Sequence, residues 1–346
     1  MDGDTRGLGS RVMDGMGRPP RRLFALGAGA AVLAVLVDRG LRLDAPPPPA
    51  PAPTRRPAPD EALLLSAVAD LTQVVDAETS VLAGKEGDAL VRGLRTVNRD
   101  QLRVLRGRLT NAGVPVAVID AAVAQGPDTP SAPSTTGSPT TGTPTPGTPT
   151  PARSTTADTP EAPIRTRKAL AARLDSLGPD DWAALGAATA GTRELLAAAW
   201  SQRLAAAVLL GREVEVSSPS PARPAIVGRT QPLVYAFEVV AAQSTGAQRQ
   251  AAQDTLEALV RLELSVSGTS STTPAGWALP YPVTSPDAAR RLATQTLASA
   301  VDAGTELAGT SPGAATLEDV ARWSANVQAL AVDWRVPLTA FPGASS

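Results

Sequence analysis

The chain has 346 residues, 43% hydrophobic but only 3% aromatic, and its 32 basic and 33 acidic side chains leave a formal net charge of -1. That balance lacks the basic footprint of a nucleic-acid binder. Cysteine and histidine are both absent, which excludes disulfides, thiolate and imidazole metal sites, a cysteine nucleophile, a bacterial lipobox and a Ser-His-Asp triad.

Much of the apolar content is alanine, the best helix former and a poor sheet former, so the expected fold class is all-α. At about 150 residues per domain, the length suggests two domains plus connectors. Residues 1–22 read as a disordered, basic leader segment. Arg18, Arg21 and Arg22 precede an apolar run over residues 23–37 (LFALGAGAAVLAVLV), bounded by Leu23 and Val37 and stopped by Asp38 and Arg39. This is the layout of a signal peptide or signal anchor, with the N-terminus kept inside by its arginines. Arg21-Arg22-Leu23-Phe24 also resembles part of a twin-arginine export signal. Leu43-Asp44-Ala45 makes a poor cleavage site, so the reading favours an uncleaved anchor over a secreted product. The expected location is the cell membrane, with an internal N-terminus and the remaining chain outside the cytoplasm. Residues 38–59, Pro-rich from Ala45 onward, form a semi-rigid spacer.

Helical periodicity begins near Asp60, with Leu64, Ala67, Val68, Leu71, Val74, Val75 and Leu82 in phase, and Gly84 ends it. A second helix runs over 88–111, with Val91, Leu94, Leu102, Leu105 and Leu109 inward. Its other face carries Arg92, Arg95, Arg99, Arg103 and Arg106, a ladder suited to an anion or to simple solvation. After a short apolar piece, residues 125–163 form a Thr/Ser/Pro/Gly tract too poor in apolar groups to order itself. Helical pattern resumes at 164–177, and a long Ala-rich segment at 181–211 carries Trp182, Leu185, Leu196, Trp200, Ala207 and Leu210 on one face. Residues 212–228 read as a Pro-containing linker.

The last third reads as four helices: 233–242, 247–266, one starting at Ser285-Pro286-Asp287, and a final one before Pro337. Ser285 is a capping residue with proline and an acid in the first turn. Thr316 and Asp319 suit a capping box. Val320, Trp323, Val327, Leu330, Ala331 and Trp334 form the last apolar stripe. Four amphipathic helices of similar length pack as a four-helix bundle. Residues 60–211 supply a second set, so the expected architecture is two bundles in tandem, 60–211 and 229–343.

Two short motifs, Ala278-Leu279-Pro280-Tyr281-Pro282-Val283 and Trp334-Arg335 with Ala340-Phe341-Pro342-Gly343, sit around this helix order. With it they resemble an actinobacterial ferritin-like domain of unknown function. The resemblance covers about a third of the chain, and the preceding region resembles a divergent ferritin-like bundle. It implies two ferritin-like four-helix bundles in an exported context, without an established activity. Di-iron members of that fold use a Glu-x-x-His on two helices. With no histidine, and with Val260 three positions after Glu257, that pattern cannot form here.

Glu78 and Arg203 both fall within apolar stripes. A buried carboxylate needs a partner or a proton, so a core ion pair between them is expected, fixing register. Glu263 falls within the apolar arc of its helix and Glu238 flanks that of another, and the two are candidate ligands for a hard cation held by carboxylates alone. No Walker or Rossmann loop occurs. The functional expectation is a non-catalytic, cofactor-free module, attached to the membrane through the run from Leu23 to Val37, that binds an unidentified protein or envelope partner and no nucleic acid. The alternative is a carboxylate-only metal or small-molecule binder within a bundle core.

Overall fold

The structure is a computed structural model that describes residues 55–86, 88–126, 164–216, 220–267, 276–310 and 312–344. The anchor, the spacer up to Thr54 and the tract at 127–163 lie outside the described residues. The described residues from Pro57 onward belong to one compact unit. Among the described residues there are ten helices and no strand. In chain order they are α1 (Glu61–Leu82), α2 (Ala89–Asn111), α3 (Val116–Gln125), α4 (Arg167–Leu174), α5 (Pro179–Ala187), α6 (Ala190–Leu209), α7 (Arg223–Gln243), α8 (Gly246–Ser267), α9 (Pro286–Thr310) and α10 (Ala314–Asp333). None of them is long and apolar enough to cross a membrane.

Helices α1 and α2 pair along their length, and α3 folds onto α1 through the buried Ile119. Asp88 starts α2 by accepting the Val91 N–H at 3.0 Å, a side-chain cap that satisfies one of the free amides of a first turn. Thr166 does the same for α4. In the C-terminal part α8 lies along α7, and α9 packs on α7 and α10. Ser285 caps α9 through the Ala288 amide, as its spacing predicts. Trp323 of α10 is fully buried, and its indole N–H donates to Thr230 of α7 at 2.9 Å.

Helix α6 holds these groups together. Every residue from Leu196 to Ala207 is buried, the mark of a helix enclosed on all sides. It packs against α10 and α9 as well as against α4 and α5. Alanine makes this possible, because its small side chain lets neighbouring helices approach on all sides. One apolar core therefore runs through residues of both the N-terminal and C-terminal helices.

Three local expectations differ from the structure. The long helix at 181–211 is broken at Ala188 and Thr189 into α5 and α6. Asp60 accepts both the amide and the hydroxyl of Thr189 there, so a carboxylate from the start of α1 caps α6 from outside. Burial works to raise the pKa of Asp60, but hydrogen bonds from Thr189 and Thr192 and the charge of Arg108 hold it below its ordinary value. Secondly, α7 begins at Arg223, ten residues before the expected start, and carries Pro232 in its interior. A proline that lacks its N–H normally ends a helical pattern. Here the buried Ile226, Leu233, Phe237 and Val240 keep the helix going on both sides of it. Thirdly, Thr316 and Asp319 form no capping box. Gly313 precedes the helix, and Asp319 is buried against an arginine described below.

Candidate functional site in the helical core

Glu78 sits deep in the α1–α2 pair with no solvent exposure. Its Oε1 accepts the Asn98 Nδ2–H at 2.6 Å, while its Oε2 and the Asn98 Oδ1 have no partner. Burial raises the pKa of this carboxyl to about 8, against the opposing pull of the Asn98 hydrogen bond and the charges of Arg95 and Arg99. Glu78 is therefore a neutral acid at pH 7. The proton matters to the hydrogen bonding as well. An ionised Glu78 presents only acceptors beside the unpartnered Asn98 Oδ1, whereas a protonated one contributes a donor.

Arg203, on α6, is only 4% exposed. Its Nε donates to the Leu174 carbonyl at 2.9 Å, and Nη2 donates to the Arg173 carbonyl at 2.7 Å and the Ser176 hydroxyl at 2.9 Å. Nη1 pairs with Asp70 of α1, which Arg173 also binds. The guanidinium thus closes the C-terminal end of α4, where free carbonyls and the helix dipole favour a cation. Burial works against its charge, and Asp70 supports it. A polar cleft of about 300 Å³ opens over this group, lined by Asp70, Gln73, Arg173, Ser176 and Asp181 among others. Its two cations face two carboxylates, so the cleft carries no excess charge.

The structure buries both Glu78 and Arg203 but does not bring them together. Glu78 turns to Asn98 of α2, and Arg203 turns to Asp70 and the end of α4. The expected ion pair is replaced by these two arrangements because Asp70, two turns before Glu78 on α1, is the acid nearer the end of α4. The same solution recurs in the C-terminal helices. Arg223, at the start of α7, donates to the Ser265 and Val266 carbonyls at the end of α8. It also donates to both oxygens of the fully buried Asp319 of α10, at 2.8 and 3.3 Å.

Between these clusters runs a seam of neutral polar groups. Gln101 of α2 donates to the Gln202 side chain at 3.0 Å and to the Ala340 carbonyl of the C-terminal segment at 2.6 Å. Gln328 of α10 donates to Ser201 and to Ser324, each at 3.1 Å. Three successive residues of α6 therefore serve four neighbouring helices: Ser201 faces α10, Gln202 faces α2 and Arg203 faces α4 and α1. Asn98 and Gln101 were missed in the sequence; their signal is that they interrupt the inward phase of Val91, Leu94, Leu105 and Leu109. Asp70, Gln202, Asp319 and Gln328 carry no such local signal.

Glu238 is exposed on α7, and Glu263 of α8 is half-buried and accepts from Gln231 at 3.2 Å. Gln231 lies seven residues before Glu238 on α7, about 10 Å along the axis, so the bond that holds Glu263 draws it away from Glu238. Among the described residues no group of three or more acidic side chains gathers as a metal would require. The motif residues at the chain end have a packing role. Thr305 donates to the Pro342 carbonyl, and Gly343, at φ 68°, lies where a Cβ would meet the Asp302 Cα at 2.8 Å. Compared with known proteins, the chain matches no family model, no curated protein and no solved structure.

Proposed function

We propose that this chain is a membrane-anchored, exported protein of ferritin-like build that acts as a non-catalytic module, binding a partner or supporting the cell envelope, without a di-iron centre. Its N-terminal bundle comprises α1, α2, α4 and α6, its C-terminal bundle comprises α7 to α10, and α6 is the wall they share. The run from Leu23 to Val37 holds the chain at the membrane with the helices outside the cytoplasm.

The observation that carries this reading is the use made of the buried and half-buried polar side chains. Asp70, Arg203, Arg223 and Asp319 pair with one another or close helix ends, and the interior amides link helix to helix. Glu78 is a neutral acid held by Asn98. Such groups fix register and neighbour choice in a helical assembly. Where they line an open cleft, over Arg203, two cations face two carboxylates and each guanidinium nitrogen already has a partner within the fold.

Metal analysis of the purified full chain, with vesicle flotation, tests the proposal. The expected outcome is far less than one metal ion per chain, thermal unfolding unchanged by chelator, and co-flotation that resists high salt. A stoichiometric metal lost on Glu238→Gln or Glu263→Gln would replace this reading with that of a carboxylate-only metal binder. Full release of the chain from vesicles by salt would remove the anchor.

A further inference from the structure

We propose that the outer face of α2 is a docking surface for an anionic lipid bilayer. Within its 23 residues α2 carries six arginines and one aspartate, in a chain whose overall charge is -1. Arg92, Arg95, Arg99, Arg103 and Arg106 are spaced three, four, four and three residues apart. At 3.6 residues per turn they fall within an arc of about 80° and form a row about 21 Å long.

Counter-ions are scarce along this row. Arg103 pairs with Asp100, and Arg106 pairs with Asp120 of α3 at 3.2 Å, both at exposed positions. Exposed pairs of this kind contribute little and exchange readily. The side chains of Arg92, Arg95 and Arg99 make no ion pair or hydrogen bond among the described residues. Glu78 stands behind Arg95 and Arg99 and, as a neutral acid, leaves their charge uncompensated.

The shape of the face selects a planar partner. The cations lie in a row along one face of a helix, and none of these arginines lines the clefts described between the helices. Guanidinium groups are forked donors that match phosphate oxygens. At one end of the row, Val116 of α3 is 58% exposed. It lies one turn from Asp120, the residue that meets Arg106, and so on the side of α3 that borders the stripe. Arginines with a flanking exposed apolar side chain are the composition of a surface that rests in a lipid headgroup layer. The docking face extends the anchored reading given above and relies on it for a bilayer within reach of α2.

The test uses the full chain reconstituted in phosphatidylcholine vesicles with or without phosphatidylglycerol. Because the chain has no cysteine, Thr96→Cys, exposed beside the stripe, takes a single polarity-sensitive fluorophore, and Gln250→Cys on α8 is the control position. The label at 96 is expected to shift to the blue on phosphatidylglycerol vesicles only, and the label at 250 to stay unchanged. Added salt should reverse the shift. Converting Arg92, Arg95 and Arg99 to glutamine should lower the docking constant on the order of 100-fold. No shift, an equal shift at both labels, or a shift indifferent to salt would overturn the proposal. A response to duplex DNA but none to phosphatidylglycerol would also overturn it, assigning the face to nucleic acid. If the triple variant does not fold by circular dichroism, Arg92→Gln alone and the salt series on the labelled chain decide the matter. Flotation reports the anchor separately, so failure of the tether and failure of the face are distinguishable.

Discussion

Replacing Glu78 with glutamine keeps the side chain's size and removes its titration, which makes the cost of a carboxylate inside the α1–α2 pair measurable. In the unfolded chain this carboxyl loses its proton near its ordinary value of 4.5, and in the fold near 8. Between those values the folded state binds more protons than the unfolded state, so stability falls as pH rises through the window. At 1.36 kcal/mol per pH unit, the cost is about 1 kcal/mol at pH 5, about 3 kcal/mol at pH 7 and about 5 kcal/mol at pH 9. Glu78→Gln carries none of it. Glutamine also brings an N–H donor to the place where Glu78 Oε2 and Asn98 Oδ1 lack partners. The advantage of the variant over the parent should therefore grow by about 4 kcal/mol from pH 5 to pH 9. Urea unfolding of the full chain in non-ionic detergent, followed by tryptophan fluorescence at each pH, measures it, since all other titrations cancel in the difference. Parallel stability curves for the two proteins would refute the reasoning, because they would place the Glu78 carboxyl where water reaches it.

Two further substitutions test the packing. Arg203→Met leaves Asp70 with Arg173 alone and removes the guanidinium donor from the Leu174 carbonyl, while Ser176 still serves the Arg173 carbonyl, so a loss of about 1.5–3 kcal/mol in urea unfolding is expected. Arg203→Lys should recover only part of it, because one ammonium cannot replace the fork. Gly304 of α9 crosses α10 so closely that a Cβ would lie 2.6 Å from Ser324 Oγ and 2.9 Å from its Cβ. Gly304→Ala should cost about 1–3 kcal/mol, and the double change with Ser324→Gly should cost clearly less than the sum of the two single changes; strict additivity would place the strain elsewhere.

Helix-forming stretches were legible wherever an apolar face recurs with the helical period, as in α1, α2 and α10, and where a cap marks the start, as Ser285 does for α9. The inward phase of Glu78 was legible for the same reason, since a residue's place on its own helix depends only on local spacing, whereas Arg203 is buried because α6 is enclosed on every side. Sequence failed at Pro232, where a local rule says stop and burial on both sides says continue. It failed at Thr189 too, because the break there is capped by Asp60, 129 residues away.

Partner choice is where reading along the chain ended. Nothing in the order Ser201, Gln202, Arg203 says that the first meets α10, the second α2 and the third α4 and α1. In an alanine-rich helix buried on every side no apolar stripe marks a single inward direction. Composition and periodicity determined that the chain is helical, free of thiol and imidazole chemistry, and which faces turn inward. The tertiary structure alone decided which helices meet and which acid each buried arginine finds, because that depends on contacts between segments far apart in the chain.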